Sequence, residues 1–530
     1  MTVADLVVDC LEAEGVEYVF GLPGEELEDL LFALEDSSVT FVPTRHEQGA
    51  AFMANVHGRL TGEAGVCLAT LGPGATNLIT GVADAQLDKA PLVAITGQGG
   101  RERLHKESHQ RLDVVHAFEP LVKWNAQLSD PAATTETVRK AFKVAEHEKP
   151  GATHVEVPED VAGEAVDGEP LADHGPVARP APDDEALASA VETLEGAERP
   201  LVLAGNGAVR TNAASALRSF VDATGMPVVA TYMGKGAISD RDERSLMTLD
   251  SGPESAAGGA VERADCVLAI GYDIAEHDPS GWNPGGEKTV VHVDAEPAEV
   301  YADYTPEVEL LADPTAALDR LADSIDSQWD AWCVDAHETV YEHATRTPDP
   351  GDTVSVSNTL PILREAMADS DVLVSDVGSH KLAIAREFPT YEPGRCVISN
   401  GLASMGIAVP GGLAADLALE DDVVVATGDG GFLMNAAELE TATRLGCSFT
   451  VVVYRDGEYG VVAEHQEQHR GESVGVRFDN PDLVAFAESF GVDATRAESL
   501  DEFGDAVDAT ESDELSLIEV VLSDPPDRRA

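Results

Sequence analysis

The 530-residue chain is short of positive charge: 34 lysines and arginines, most of them arginines, stand against 97 aspartates and glutamates, giving a formal net charge of −63 at pH 7. A surface so poor in cations disfavours nucleic acid and anionic membrane as partners, since both are polyanions. The acidic excess is spread along the chain rather than gathered in a tail. It suits a high-salt cytoplasm, where screening shortens the reach of self-repulsion, and points to a halophilic source. Cysteine is scarce as well. Cys10, Cys67, Cys266, Cys333, Cys396 and Cys447 include no close pair, so they read as reduced core thiols rather than a disulfide or zinc framework. No apolar run reaches the length of a membrane span, and no basic flank with a long apolar segment opens the chain. A soluble, cytoplasmic protein is expected.

Apolar residues are not lacking. At 43% they can fill several cores, and a chain of this length needs two to four domains. Short β-type runs alternate with helical patterns: Val16–Phe20, Thr40–Pro43, Ala64–Thr70 and Pro91–Thr96, then Pro200–Ala204, Pro227–Ala230, Cys266–Ile270 and Thr289–Val293, then Val372–Ser375, Val397–Ile398, Val423–Ala426, Phe449–Tyr454 and Leu517–Val521. Alternation of this kind predicts an α/β fold of three doubly wound parallel-sheet domains, at residues 1–165, 185–335 and 353–525. Polar, Pro-containing stretches at 158–184 and 345–352 serve as connectors.

One stretch, Asp421–Gly460, carries the most chemistry. A strand ends at Gly428-Asp429-Gly430-Gly431, one helix runs on through Arg444, and a second strand ends at Arg455-Asp456-Gly457. In a parallel sheet both strand ends lie on the edge where open α/β sheets bind ligands. Asp429 and Asp456 can then share one hard cation; Mg²⁺ takes one or two carboxylates and completes its shell with water and phosphate oxygens. Glycines beside them let backbone N–H groups approach a phosphate. Taken alone, both aspartates are equally good turn residues.

With its spacing, this segment resembles the motif of thiamine-diphosphate (ThDP) enzymes, in which Gly-Asp-Gly is followed after a helix by Asn-Asn and Tyr-Gly. Arg455-Asp456 departs from that pattern while keeping an oxygen at the second ligand position. The resemblance implies ThDP held through Mg²⁺ by Asp429, Asp456 and the main-chain carbonyl of Glu458, with Gly430, Gly431 and Tyr459 beside it. Arg45-His46-Glu47-Gln48-Gly49-Ala50-Ala51 closely resembles the segment holding that family's catalytic glutamate. By position alone, Glu47 is a helix-start carboxylate favoured by the helix dipole. The kinship makes it the acid that hydrogen-bonds N1′ of the aminopyrimidine and promotes loss of the thiazolium C2 proton. Further cofactor contacts implied are Gly24, Gly378-Ser379-His380, the Ala403 carbonyl, and Met405 as the wedge that bends the cofactor. Gln110, His109 and Gln466 fall on the substrate side. Gly72-Pro73-Gly74-Ala75-Thr76-Asn77 lacks the Lys-Ser/Thr ending of a P-loop and is read as a close-packing element.

The strings PLVAITGQ, MGKGAISD and Ser375–Lys381 are similar to the acetolactate synthase branch, catabolic and FAD-independent in type. Gly271-Tyr272-Asp273-Ile274-Ala275-Glu276-His277 stands where the FAD-binding loop of the biosynthetic type would be. The implied reaction is attack of the ThDP ylid on pyruvate, loss of CO₂, and addition of the enamine to a second pyruvate to give 2-acetolactate. The kinship also implies a homodimer or homotetramer, with Glu47 and the metal ligands of one site drawn from different subunits. Two rival readings stand: a 2-keto acid decarboxylase that releases an aldehyde, and a catalytically silent ThDP-binding subunit.

Overall fold

The computed structural model describes residues 1–171, 175, 177–253, 255–330, 332–349, 351–510 and 513–523. Part of the expected 158–184 connector, and the end of the last domain at 525, lie outside the described residues. Three six-stranded, wholly parallel sheets form the framework. The first contains β1 (Tyr18–Gly21), β2 (Thr40–Pro43), β3 (Gly65–Ala69), β4 (Leu92–Gln98), β5 (Trp124–Gln127) and β6 (Ala152–Pro158), ordered β2-β1-β3-β4-β6-β5. The second contains β7 (Pro200–Ala204), β8 (Val228–Ala230), β9 (Ser245–Thr248), β10 (Cys266–Ile270), β11 (Thr289–Asp294) and β12 (Val308–Leu311), ordered β12-β11-β10-β7-β8-β9. The third contains β13 (Val372–Ser375), β14 (Cys396–Ile398), β15 (Val423–Gly428), β16 (Thr450–Arg455), β17 (Asp493–Ala497) and β18 (Ser516–Val521), ordered β14-β13-β15-β16-β18-β17.

The near-continuous apolar runs of the inner strands follow from burial on both faces. In the second sheet, Val202, Leu268, Ile270 and Val291 join one apolar cluster, while their neighbours Leu201, Leu203, Val267, Ala269 and Val290 join another. All six cysteines are buried thiols. No helix among the described residues is long and apolar enough to cross a membrane.

By its contacts the chain falls into two compact units. One holds residues 1–177 with 401–420 and 432–447, and the other holds 178–400, 421–431 and 448–530, each within its described residues. The first sheet belongs to one unit and the other two sheets to its neighbour. The single helix expected after Gly431 is instead two, Asp429–Asn435 and Glu438–Leu445. The backbone tightens between them, with Leu439 and Glu440 donating to Ala436 and Ala437, three residues back. Asn435 Nδ2 meanwhile donates to the Gly406 carbonyl at 2.8 Å.

A net charge of −63 on this fold sets up self-repulsion that salt relieves. Raising KCl from 0.1 M to 3 M is expected to lift Tm by on the order of 10 °C, read by differential scanning calorimetry. A Tm that falls or stays level over that range would show that the acidic surface needs no salt.

Candidate functional site

Strands β15 and β16 are neighbours in register, with Gly428 opposite Tyr454, so the chain leaves both at the same edge of the third sheet. Asp429, 1% exposed, sits at that edge as the junction. Its Oδ1 accepts from Gly430 N at 2.9 Å, and its Oδ2 accepts from Gly457 N at 2.8 Å and from Asn480 Nδ2 at 2.6 Å. Asp456 turns the next residues back, accepting from Glu458 N at 3.0 Å. A Cβ on Gly460 would lie 3.2 Å from Ser379 Oγ and 3.6 Å from Asp456 Oδ2, which brings the Ser379 and Asp456 side chains to one place. Gly430 abuts Tyr459, Gly431 abuts the Asp376 carboxylate, and Gly378 abuts the His380 ring. His380 is buried, and desolvation lowers its pKa to about 4. Gly378, Ser379, His380, Asp429, Gly430, Gly431, Asp456, Glu458 and Tyr459 are thus gathered at one sheet edge. Gln466 is engaged elsewhere: its Oε1 accepts from Val474 N at 2.7 Å, tying down the loop after its own helix.

Three features of this edge are absent from the sequence reading. Segment 476–480 folds back on the Asp456–Tyr459 turn, through Tyr459 N to Val476 O at 2.9 Å, Phe478 N to Gly457 O at 3.0 Å, and Arg477 Nε to Glu458 Oε2 at 3.0 Å. Asn480 reaches Asp429 by this route, and no spacing motif announces it. Asp376, fully buried, accepts from Val377 N at 2.7 Å and Thr427 Oγ1 at 3.1 Å. Arg455 faces away: its NH1 and the Nε of Arg496 clasp the buried Glu519 carboxylate at 3.0 and 2.8 Å, so the departure from Asn-Asn is absorbed by an ion pair across β16, β18 and β17.

In the other unit, Glu47 opens the helix Glu47–Thr61 behind the N-cap His46 and is 6% exposed. Asn77 Nδ2, from the helix Pro73–Leu87, donates to Glu47 Oε2 at 3.0 Å. Gly74 on that helix passes close to both Thr70 and Glu47; a Cβ there would lie 3.3 Å from Glu47 Oε1. Gly24 abuts the same Thr70, and the Gln110 backbone lies over Gly72. Gly24, Glu47 and the backbone of Gln110 are therefore brought together, as close packing by the Gly72–Asn77 run requires, while the His109 and Gln110 side chains are exposed. Just ahead of Glu47, Arg45 N and His46 N donate to the buried Glu438 carboxylate at 3.0 and 3.1 Å, and desolvation raises that group's pKa. Ala403 and Met405 lie in the turn Asn400–Gly406, where Ala403 adopts a left-handed φ of +55° and Met405 is half-exposed.

The sequence profiles of the thiamine pyrophosphate enzyme N-terminal TPP binding domain, central domain and C-terminal TPP binding domain match residues 1–117, 187–321 and 376–520. The chain belongs to the thiamine pyrophosphate enzyme family. It is 36% identical to an acetolactate synthase of Bacillus subtilis over 95% of this chain and 90% of that protein. It is 34% identical to the catabolic acetolactate synthase of Raoultella terrigena over 94% and 90%. With the large subunit of acetolactate synthase isozyme 2 from Escherichia coli it shares 33% identity over 96% and 93%.

Within this thiamine pyrophosphate enzyme the second sheet also ends in an edge crevice, and the chain fills it. Gly205 and Gly207 press against Gly271. The Glu276 carboxylate, on the loop after β10, accepts from Asn206 N at 2.8 Å, Asp273 N at 3.1 Å and Thr231 Oγ1 at 2.5 Å. Desolvation, reinforced by Asp273, outweighs these donors and raises the Glu276 pKa to about 7. Between pH 4.5 and 7 the folded state therefore holds a proton that the unfolded chain has released. The stability this proton confers is present below pH 4.5 and is lost as the pH rises through 7. In urea titrations the wild type is expected to lose on the order of 3 kcal/mol across that window from this group, and Glu276→Gln to lose almost none of it. Equal pH dependence in both proteins would remove Glu276 as the cause.

Proposed function

We propose that the chain is a ThDP- and Mg²⁺-dependent acetolactate synthase of the catabolic, flavin-free type, which joins two molecules of pyruvate as 2-acetolactate with loss of CO₂. The observation that carries the reading is Asp429 and Asp456 at adjacent parallel strand ends, bridged by the Gly457 N–H on Asp429, in a chain whose relatives over nearly its whole length are named acetolactate synthases. We read the three domains as 1–165, 185–335 and 353–525.

The residues fit the group they would hold. Two carboxylates and a main-chain carbonyl form an all-oxygen donor set suited to a hard cation. His380 Nε2 and Asn480 Oδ1, at the same edge, are buried polar atoms lacking a hydrogen-bond partner, and buried polar groups call for partners. Bound there, ThDP supplies the nucleophilic carbon and the electron sink that decarboxylation of a 2-keto acid requires.

The chain's own groups hold and move protons around it. Glu47, held at one oxygen by Asn77, would exchange a proton with a ring nitrogen of the bound group, and the Ala403 carbonyl would accept from its exocyclic amine. Asp429, Asp456 and the Glu458 carbonyl would hold the metal, whose positive charge would offset that of a diphosphate. Gly24, Tyr459 and Met405 would shape the walls, and Gln110 and His109, with side chains free of the interior, would lie toward the substrate, whereas Gln466 is taken up by Val474 N. Function without FAD is read from the loop at residues 271–277, which stands where the FAD-binding loop of the biosynthetic type would be. Leu402, Leu433 and Met434, apolar yet more than a third exposed, support a homodimer or homotetramer closing over the Ala403 turn. The charge supports a cytoplasmic protein of a halophile.

The test is an end-product assay in high salt with pyruvate, ThDP and Mg²⁺ and no FAD. Acetolactate, converted to acetoin by acid, is expected as the main product, and Glu47→Gln should lower turnover by about 100-fold or more. Acetaldehyde in place of acetolactate would make the protein a decarboxylase. Bound ThDP without turnover of any 2-keto acid would make it a silent subunit.

A further inference from the structure

Ala403 is held in a left-handed backbone conformation that strains a non-glycine residue. Strain of this kind persists where the surroundings over-determine it, and here they are two buried carboxylates one helical turn apart. On the helix Pro73–Leu87, Asp84 Oδ1 accepts from Ser404 N at 3.4 Å. Asp88, the residue capping that helix, accepts from Gly401 N at 2.6 Å through its Oδ1. The second oxygen of each is fixed by the helix Glu47–Thr61: Asn55 Nδ2 donates to Asp84 Oδ2 at 2.8 Å, and Arg59 NH1 donates to Asp88 Oδ2 at 3.2 Å. Asp84 and Asn55 are fully buried, and Asp88 is 1% exposed. Asp84 cannot swing away without leaving the buried Asn55 amide unpaired, and Asp88 cannot do so without releasing both Gly401 and Arg59.

The contact at Ser404 has a consequence one bond away. The Ser404 N–H and the Ala403 C=O belong to one planar trans peptide and point in opposite directions. Drawing the N–H toward Asp84 therefore turns the Ala403 carbonyl outward, away from the helix. We propose that Asp84, steadied by Asn55 and seconded by Asp88, is a positioning residue that sets the direction of the Ala403 carbonyl toward the cofactor's exocyclic amine. This inference rests on the ThDP reading and extends it to residues outside the cofactor motifs. It also draws on one helix, Pro73–Leu87, which runs alongside Glu47–Thr61 in the same direction. Asn77 steadies Glu47 near one end of the helix Pro73–Leu87, and Asp84 and Asp88 steady the carbonyl near the other.

The test uses Asp84→Asn and Asp84→Ala in the full chain, with two measurements besides turnover. In the apoprotein, amide hydrogen exchange is followed by mass spectrometry in the peptide covering 401–406. With ThDP and Mg²⁺ bound, exchange of the thiazolium C2 proton is followed by quenched-flow NMR. The alanine variant should expose 401–406 to faster exchange and slow C2 exchange by about tenfold or more. The asparagine variant keeps an acceptor without its charge and should slow C2 exchange by about threefold, with ThDP affinity in both within about threefold of wild type. If alanine prevents folding, the asparagine variant decides alone. Wild-type C2 exchange in the folded variants would overturn the inference while leaving the ThDP reading intact, as would a parallel loss of cofactor affinity, the mark of a merely structural role. Failure of the wild-type protein itself to bind ThDP would overturn both.

Discussion

The Asp429 carboxylate is the constraint on which the rest of the site depends. It is nearly devoid of solvent, and its oxygens find their partners within the chain. A buried carboxylate keeps its charge only where fixed donors stand in for water. Those donors come from three pieces of chain: its own turn at Gly430, the end of the next strand at Gly457, and the returning segment at Asn480. The parallel pairing of β15 with β16 makes the second possible and the 476–480 fold-back makes the third. The third sheet therefore brings Asp429 and Asp456 to one edge, and Gly430 and Gly431 allow the close approach of Tyr459 and Asp376 there.

The same logic of buried carboxylates held by backbone N–H groups recurs through the molecule. Glu438 receives Arg45 and His46 and so fixes the approach to Glu47, while Asp84 and Asp88 receive Ser404 and Gly401 and fix the Ala403 turn. Glu276 receives Asn206 and Asp273 and fills the crevice of the second sheet. In a chain this acidic, most carboxylates are surface solvation. Glu438, Asp84, Asp88 and Glu276 are buried and anchor loops, while Glu156 and Glu519 pair across strands inside their sheets.

The sheets were legible because their inner strands are apolar on both faces. Pro200–Ala204, Cys266–Ile270 and Val372–Ser375 stand in the structure with the bounds their composition suggests. Five strands were not, and four of them, β5, β9, β12 and β17, are sheet edges. An edge strand pairs on one side only and tolerates sequences such as Asp493–Ala497, whose exposed polar residues read as loop. The fifth, β6, is an inner strand, but His154 and Glu156 interrupt its apolar run; both are paired in the interior, with Thr96 and with Gln98 and Gln127. The single helix expected after Gly431 failed because its break depends on Asn435 finding the Gly406 carbonyl, 29 residues earlier in the chain.

The sequence by itself determined the alternating architecture, the acidic surface, and the residues that meet at strand ends, because these follow from burial periodicity and from short motifs whose chemistry is local. Only the tertiary structure decided what steadies those residues. Asn77 on Glu47, Asn480 on Asp429, Asp84 behind Ala403 and Glu519 beneath Arg455 are contacts between positions 30 to 320 residues apart. Each rests on a single hydrogen bond or ion pair whose partner no periodicity can name, since a donor becomes a partner only when folding brings it to within about 3 Å and removes the water that would otherwise compete.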